Sequence, residues 1–162
     1  MKTTPLTAKE DSPGVTLMPP AVFYTCLAAG GILEFFIPTG INGFHHPAVT
    51  ACGAAIALAG FTFMMLAHEL FRKKKTPVPT CEAAAAFVTQ GAYRFSRNPM
   101  YTGGSAFFIG IGLLAGSAWL ICAWLPLGLY LALYVVPREE AYLERQFGNQ
   151  YRTYQSRVRR WI

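Results

Sequence analysis

Residues 100–136 read "MYTGGSAFFIGIGLLAGSAWLICAWLPLGLYLALYVV" and contain no charged side chain. A helix needs about 20 mostly apolar residues to cross a bilayer. This stretch is long enough for two such helices, at about 100–116 and 118–136, with 115–117 too short for an ordinary loop. The reading is a tight helical hairpin, with a kink at Pro126.

Working outward, two further apolar stretches, 19–37 and 47–70, fit the same length rule. The composition agrees: 53% of the 162 residues are hydrophobic and 14% charged, against about 25% charged in a soluble domain. The mean hydropathy is +0.32. The expected fold is therefore an all-α integral membrane protein with four transmembrane helices. An amphipathic cytoplasmic helix follows at 138–162, and residues 1–18 form a flexible cytosolic tail without the marks of a secretory signal. Residues 19–162 make one domain.

The basic residues set the orientation. Lys2 and Lys9 precede the first helix. Arg72, Lys73, Lys74, Lys75, Arg94 and Arg97 lie between the second and third, and Arg138, Arg145, Arg152, Arg157, Arg159 and Arg160 follow the fourth. With four helices all fourteen fall on one side, which the positive-inside rule makes cytoplasmic. Both termini are then cytoplasmic, in the inner membrane. The net charge of +6 belongs to this membrane-side surface and to anionic lipid, not to nucleic acid. In the last segment Leu143, Phe147, Tyr151, Tyr154, Val158 and Trp161 recur at helical steps. They form one face that either lies on the inner surface or folds over a cytoplasmic pocket.

Topology also brings two polar elements together. "YRFSRNPMYTGG" (93–104) opens the hairpin and Arg138-Glu139-Glu140 closes it, so both end at similar depth. Asn98-Pro99 has the residue types of a helix start. Arg94 and Arg97 add charge there for a carboxylate or phosphate, and Gly103 and Gly104 allow close approach. The alternative is a capped helix with arginines snorkelling at the membrane edge. Glu139 and Glu140 repel each other and require cations, supplied either by neighbouring arginines or by a cationic ligand.

Other features carry less. Glu34, inside the first helix, is a functional suspect by its cost alone. His68-Glu69 marks a helix end. His45-His46 lacks a third metal ligand. The four scattered cysteines read as buried thiols. Ser105 and Ser117 have no His/Asp partners, and no P-loop or dinucleotide-binding glycine pattern occurs.

The ordered set "TPVPT" (76–80), "FVTQGAYRFSRNPMYTGG" (87–104), an apolar hairpin and "EEAYLERQFGNQYRTYQSRVRRW" (139–161) resembles the integral-membrane methyltransferases. That superfamily includes isoprenylcysteine carboxyl methyltransferases and phospholipid N-methyltransferases. Its hallmark, R-H-P-x-Y-x-G followed by E-E, appears as Arg97, Asn98, Pro99, Tyr101 and Gly103 with Glu139 and Glu140. Asn98 stands where the family has His, and an amide carries no proton near neutral pH.

The resemblance implies S-adenosylmethionine as cofactor and no metal. The methyl acceptor is a lipophilic small molecule or lipid-linked group, such as an isoprenylcysteine-type carboxylate or lipid headgroup. It implies Val88, Gly91 and Tyr93 at the adenosine end, with Tyr93 also facing the sulfonium. Arg97, Asn98 and Tyr101 hold the amino-acid end, and Glu139 or Glu140 its ammonium. Pro99 and Gly103 complete the cofactor-facing set, and Arg97 and Glu140 carry the catalytic role. Two other readings compete: an NADPH-dependent membrane reductase of the sterol type, and a small transporter coupled through Glu34. Nothing in the sequence indicates the oligomeric state.

Overall fold

The computed structural model describes residues 12–39, 43–74 and 87–162. Lys2, Lys9, Lys75, "TPVPT", Cys81 and most of the 1–18 segment lie outside the described residues. Within them the chain is all helical, with no strand. The elements are α1 (Pro19–Phe36), α2 (Pro47–Lys73), a 3-10 turn (Gly91–Arg94), α3 (Pro99–Leu114), α4 (Ala118–Tyr130), α5 (Val136–Phe147) and α6 (Asn149–Gln155). α1, α2 and α3 each carry proline in the first turn, where the missing N–H costs nothing.

Among the described residues three helices are long and apolar enough to cross a membrane: α1, α2 and the continuous rod Ala118–Phe147. α3, at 16 residues, is a shorter apolar helix. The boundary expected at 136 is absent. Pro137 does not end the helix, because the five residues just before it, Leu131–Val135, widen into a π-turn. Val136 N–H bonds to Leu131 O across that turn, which accommodates the proline ring. Glu139 and Glu140 therefore sit within a continuing helix. The expected amphipathic helix at 138–162 is divided between α5 and α6 at Gly148, whose φ of +50° and ψ of −122° suit a residue without Cβ.

Small residues bring α2 and α3 into close contact. A Cβ on Gly60 would lie 2.5 Å from Phe107 N, and one on Gly103 would lie 2.6 Å from Gly60 O. Gly110 meets Ala57 in the same way. Without a hydrophobic drive between helices in lipid, such backbone approach supplies the packing. α1 lies against α4, with Gly30 on Leu120 and Ala123. One buried cluster, Val15, Phe108, Leu127, Leu131 and Val135, joins these layers. Residues 12–18 pack on the long rod, with Val15 buried, Tyr130 Oη donating to Leu17 O at 2.6 Å, and Thr16 Oγ1 2.7 Å from Tyr134 Oη.

At the end of the bundle away from Glu139, Glu34 ties α1 to α4. Its carboxylate accepts from Thr39 N, Thr39 Oγ1 and Ser117 Oγ. Thr39 Oγ1 accepts from Ala118 N at 3.1 Å, and Ser117 Oγ accepts from Leu120 N at 3.1 Å. The charge suspected of function is thus embedded in a helix-end latch. His46 Nδ1 accepts from Ala48 N at the start of α2, and the His45 ring covers Gly116.

Candidate active site

The opposite end of the bundle contains a cleft walled by α2, the 87–98 segment, the start of α3, α5 and α6. Its aromatic wall is assembled from rings distant in sequence. Phe71 meets the Tyr93 ring edge-on at 5.5 Å, and Phe87 stacks on Phe147 at 5.0 Å and meets Tyr154 edge-on at 5.4 Å. Tyr154 Oη donates to Tyr93 O at 2.6 Å, fastening α6 to the 3-10 turn. Burial pushes the phenols of Tyr93, Tyr151 and Tyr154 above their ordinary range, and the charges of Glu139 and Glu140 add to this at Tyr93 and Tyr151. These phenols stay protonated at physiological pH.

The two carboxylates are buried, so each needs partners. Tyr101 Oη donates to Glu139 Oε1 at 2.6 Å. Glu140 is gripped twice: Arg97 Nη2 lies 3.1 Å from Oε1, while Arg160 Nη2 lies 2.6 Å from Oε2 and its Nε 3.2 Å from Oε1. That hydrogen bond raises the Arg160 guanidinium further above its already high range. Arg97 Nε is buried with no hydrogen-bond partner among the described residues. An unpaired buried donor on a cation is costly, and here it belongs to a residue that lines the cleft.

Backbone contacts complete the closure. Arg97 N–H donates to Arg159 O at 2.9 Å, and Asn98 Nδ2 and Ser96 Oγ donate to Arg160 O at 3.0 and 3.3 Å. Asn98 begins α3 by backbone position, yet its side chain makes no capping bond. Ser96 Oγ accepts from Asn98 N, and the Asn98 amide binds the 159–162 segment. The cleft itself has a cavity volume of about 50 Å³, room for a few waters at roughly 10–15 Å³ each.

Of the expected site residues, Val88, Tyr93, Arg97, Asn98, Tyr101, Glu139 and Glu140 line one cleft. Gly91, Pro99 and Gly103 do not line it. Gly91 adopts φ +58° against Leu70, and Gly103 faces Gly60 and Met64 in the α2–α3 seam. Phe71, Phe87, Met100, Leu143, Tyr151 and Tyr154 join the wall, and Arg160 joins the charge cluster. The aromatic stripe beginning at Leu143 was the signal for part of this set. Phe71 and Met100 had none, since each reads as one more apolar residue. Among the described residues no group of three His, Cys, Asp or Glu converges.

A model of the phospholipid methyltransferase family matches residues 48–150 of this chain, well over half of it. An uncharacterised protein of Haemophilus influenzae is 42% identical over 55 residues, covering 31% of this chain and 87% of that protein. No solved structure matches at a significant level.

Proposed function

This chain belongs to the phospholipid methyltransferase family, and we propose that it is a membrane methyltransferase that uses S-adenosylmethionine to methylate a lipophilic acceptor. The observation that carries the reading is one cleft holding both signs of charge in a wall of aromatic rings. Arg97 has a buried Nε with no hydrogen-bond partner among the described residues, and Glu139 and Glu140 stand beside it. The amino-acid end of the donor has a carboxylate for the first and an ammonium for the second. Tyr93, Tyr151 and Tyr154 offer faces for the sulfonium and adenine. When bound, the donor supplies a methyl on a sulfonium that is already a good leaving group.

The chain's own residues then have a narrow task. Arg97 and Glu140 fix the donor's orientation, and the closed aromatic wall excludes water. Tyr93, Tyr151 and Tyr154 do not act as bases, because burial keeps all three protonated. Asn98 carries no titratable proton. An acceptor that is already nucleophilic, such as a carboxylate or a neutral amine, suits this cleft better than a hydroxyl that must first lose a proton.

In the proposed topology α3 crosses as well, making four crossings, and the basic ends of α2 and α5 face the cytoplasm, as the distribution of Lys and Arg favours. The lipophilic acceptor reaches the cleft from the bilayer. Family membership favours methyl transfer over the reductase and transporter readings, and the latch role of Glu34 gives that residue a structural reason to be charged.

Calorimetry on detergent-purified protein tests the proposal. S-adenosylmethionine should bind the intact chain, and Glu140→Ala should weaken it by about tenfold or more, since a hydrogen bond to a charge contributes about 1.5–3 kcal/mol. Absence of binding to the intact chain would overturn the proposal.

A further inference from the structure

Glu140 already holds a cation, and the chain itself supplies it. Both carboxylate oxygens of Glu140 are engaged, one by Arg97 and both by Arg160. An ammonium arriving at this carboxylate must therefore displace one of the two arginines. They are not equally placed. The Arg97 side chain is 13% exposed and Arg160 43%. Arg97 is built into the base of α3. Arg160 lies beyond α6 in the 159–162 segment, which is held to the base of α3 by two backbone carbonyls, Arg159 O and Arg160 O.

We propose that Arg160 is a displaceable internal occupant of the cation subsite, and that residues 159–162 form a strap that must leave Glu140 when the donor's ammonium takes it. The inference rests on the reading of this cleft as the donor site. Exchange of one cation for another avoids leaving a buried carboxylate bare, the outcome that makes breaking such pairs costly. The displaced guanidinium, already partly in water, moves toward solvent and anionic headgroups.

The present cavity of about 50 Å³ cannot admit the donor without rearrangement, and the strap closes on it through Arg160, which holds the lining residue Glu140. It also has a second face. Trp161 and Ile162 line a larger cavity of about 440 Å³ between α3 and the long rod, shared with Thr102, Ser105 and Leu131. Displacing Arg160 therefore alters the mouth of this neighbouring apolar space in the same movement.

The test is donor binding with the internal competitor removed. Apparent affinity falls by the fraction of molecules in the competent state, so Arg160→Ala should bind S-adenosylmethionine about 3- to 10-fold more tightly than the intact chain. Arg160→Lys keeps the charge but not the two-nitrogen grip, so it should fall between them. It also serves if the alanine variant does not fold. Hydrogen exchange adds a readout independent of affinity. Adding donor to the intact chain should speed exchange at the Arg97 amide and across 157–162.

Binding by the intact chain with equal or weaker binding by both variants would overturn the strap and leave the donor site standing. Donor-induced protection of 157–162 would do the same. If neither the intact chain nor the variants bind S-adenosylmethionine, the donor reading itself fails and the strap falls with it.

Discussion

Glu34 and Glu140 are both carboxylates in a greasy chain, and their surroundings give them different work. Glu34 accepts from Thr39 twice and from Ser117, and those groups in turn bond the first turn of α4. Removing it strands several donors at once. Glu34→Ala should lower the Tm of the detergent-solubilised protein, with donor binding unchanged at the far end of the bundle. Glu140 instead collects two arginines beside a buried guanidinium nitrogen that lacks a partner. Residue type alone did not separate these roles. Glu34 drew suspicion because it lies in an apolar helix. Its partners are Thr39, just past the end of α1, and Ser117, far along the chain. Asn98 shows the same limit. Its type and its place before proline marked a helix start correctly. Its side chain nonetheless donates to Arg160 O and makes no capping bond.

The elements were more legible. Every apolar stretch became a helix, and the helical stripe of Leu143, Phe147, Tyr151 and Tyr154 does form a buried face. The end of the last long helix was not legible. The apolar stretch was expected to end its helix at 136, but a π-turn at Leu131–Val135 carries the helix on to Phe147. A wide turn has no residue signature of its own; it is set by what the rod packs against. Gly103 was assigned to the cofactor because it lies in the hallmark. Which face of α3 it occupies depends on α2, whose Gly60 and Met64 it touches. Gly103→Ala should therefore act on the α2–α3 seam. With its Cβ placed 2.6 Å from Gly60 O and 2.7 Å from Met64 N, the helices must separate. We expect a destabilisation of about 1–3 kcal/mol, measured as a lower Tm. A loss of donor affinity at unchanged Tm would return the residue to the site.

At the scale of the whole molecule, the cleft wall is part of what holds the fold together, and this has a consequence at alkaline pH. Tyr93, Tyr151 and Tyr154 have their folded-state ionisation raised well above the ordinary value, which is about 10. Below that value both states keep the proton and stability is at its full level. Above it the unfolded chain loses these protons while the folded chain retains them, so stability falls as pH rises. Tyrosinate absorbance should then appear in two phases. Exposed phenols titrate first, and these three titrate only together with loss of helical circular dichroism. Simple titration of all eight tyrosines before any unfolding would contradict the closed cleft. The sequence by itself determined that the chain is helical and suited to a membrane, because apolar length and charge deficit act through the solvent and need no partner. It also determined that "YRFSRNPMYTGG" and Glu139-Glu140 lie at one end, because a short connection between two helices returns the chain to its starting depth. Only the tertiary structure decided which side chains face the cleft, that Gly103 belongs to a helix seam, and that Arg160 sits on Glu140. Those outcomes depend on helix rotation and on contacts across more than sixty residues, such as Arg97 N–H to Arg159 O, which no local pattern of residue types encodes.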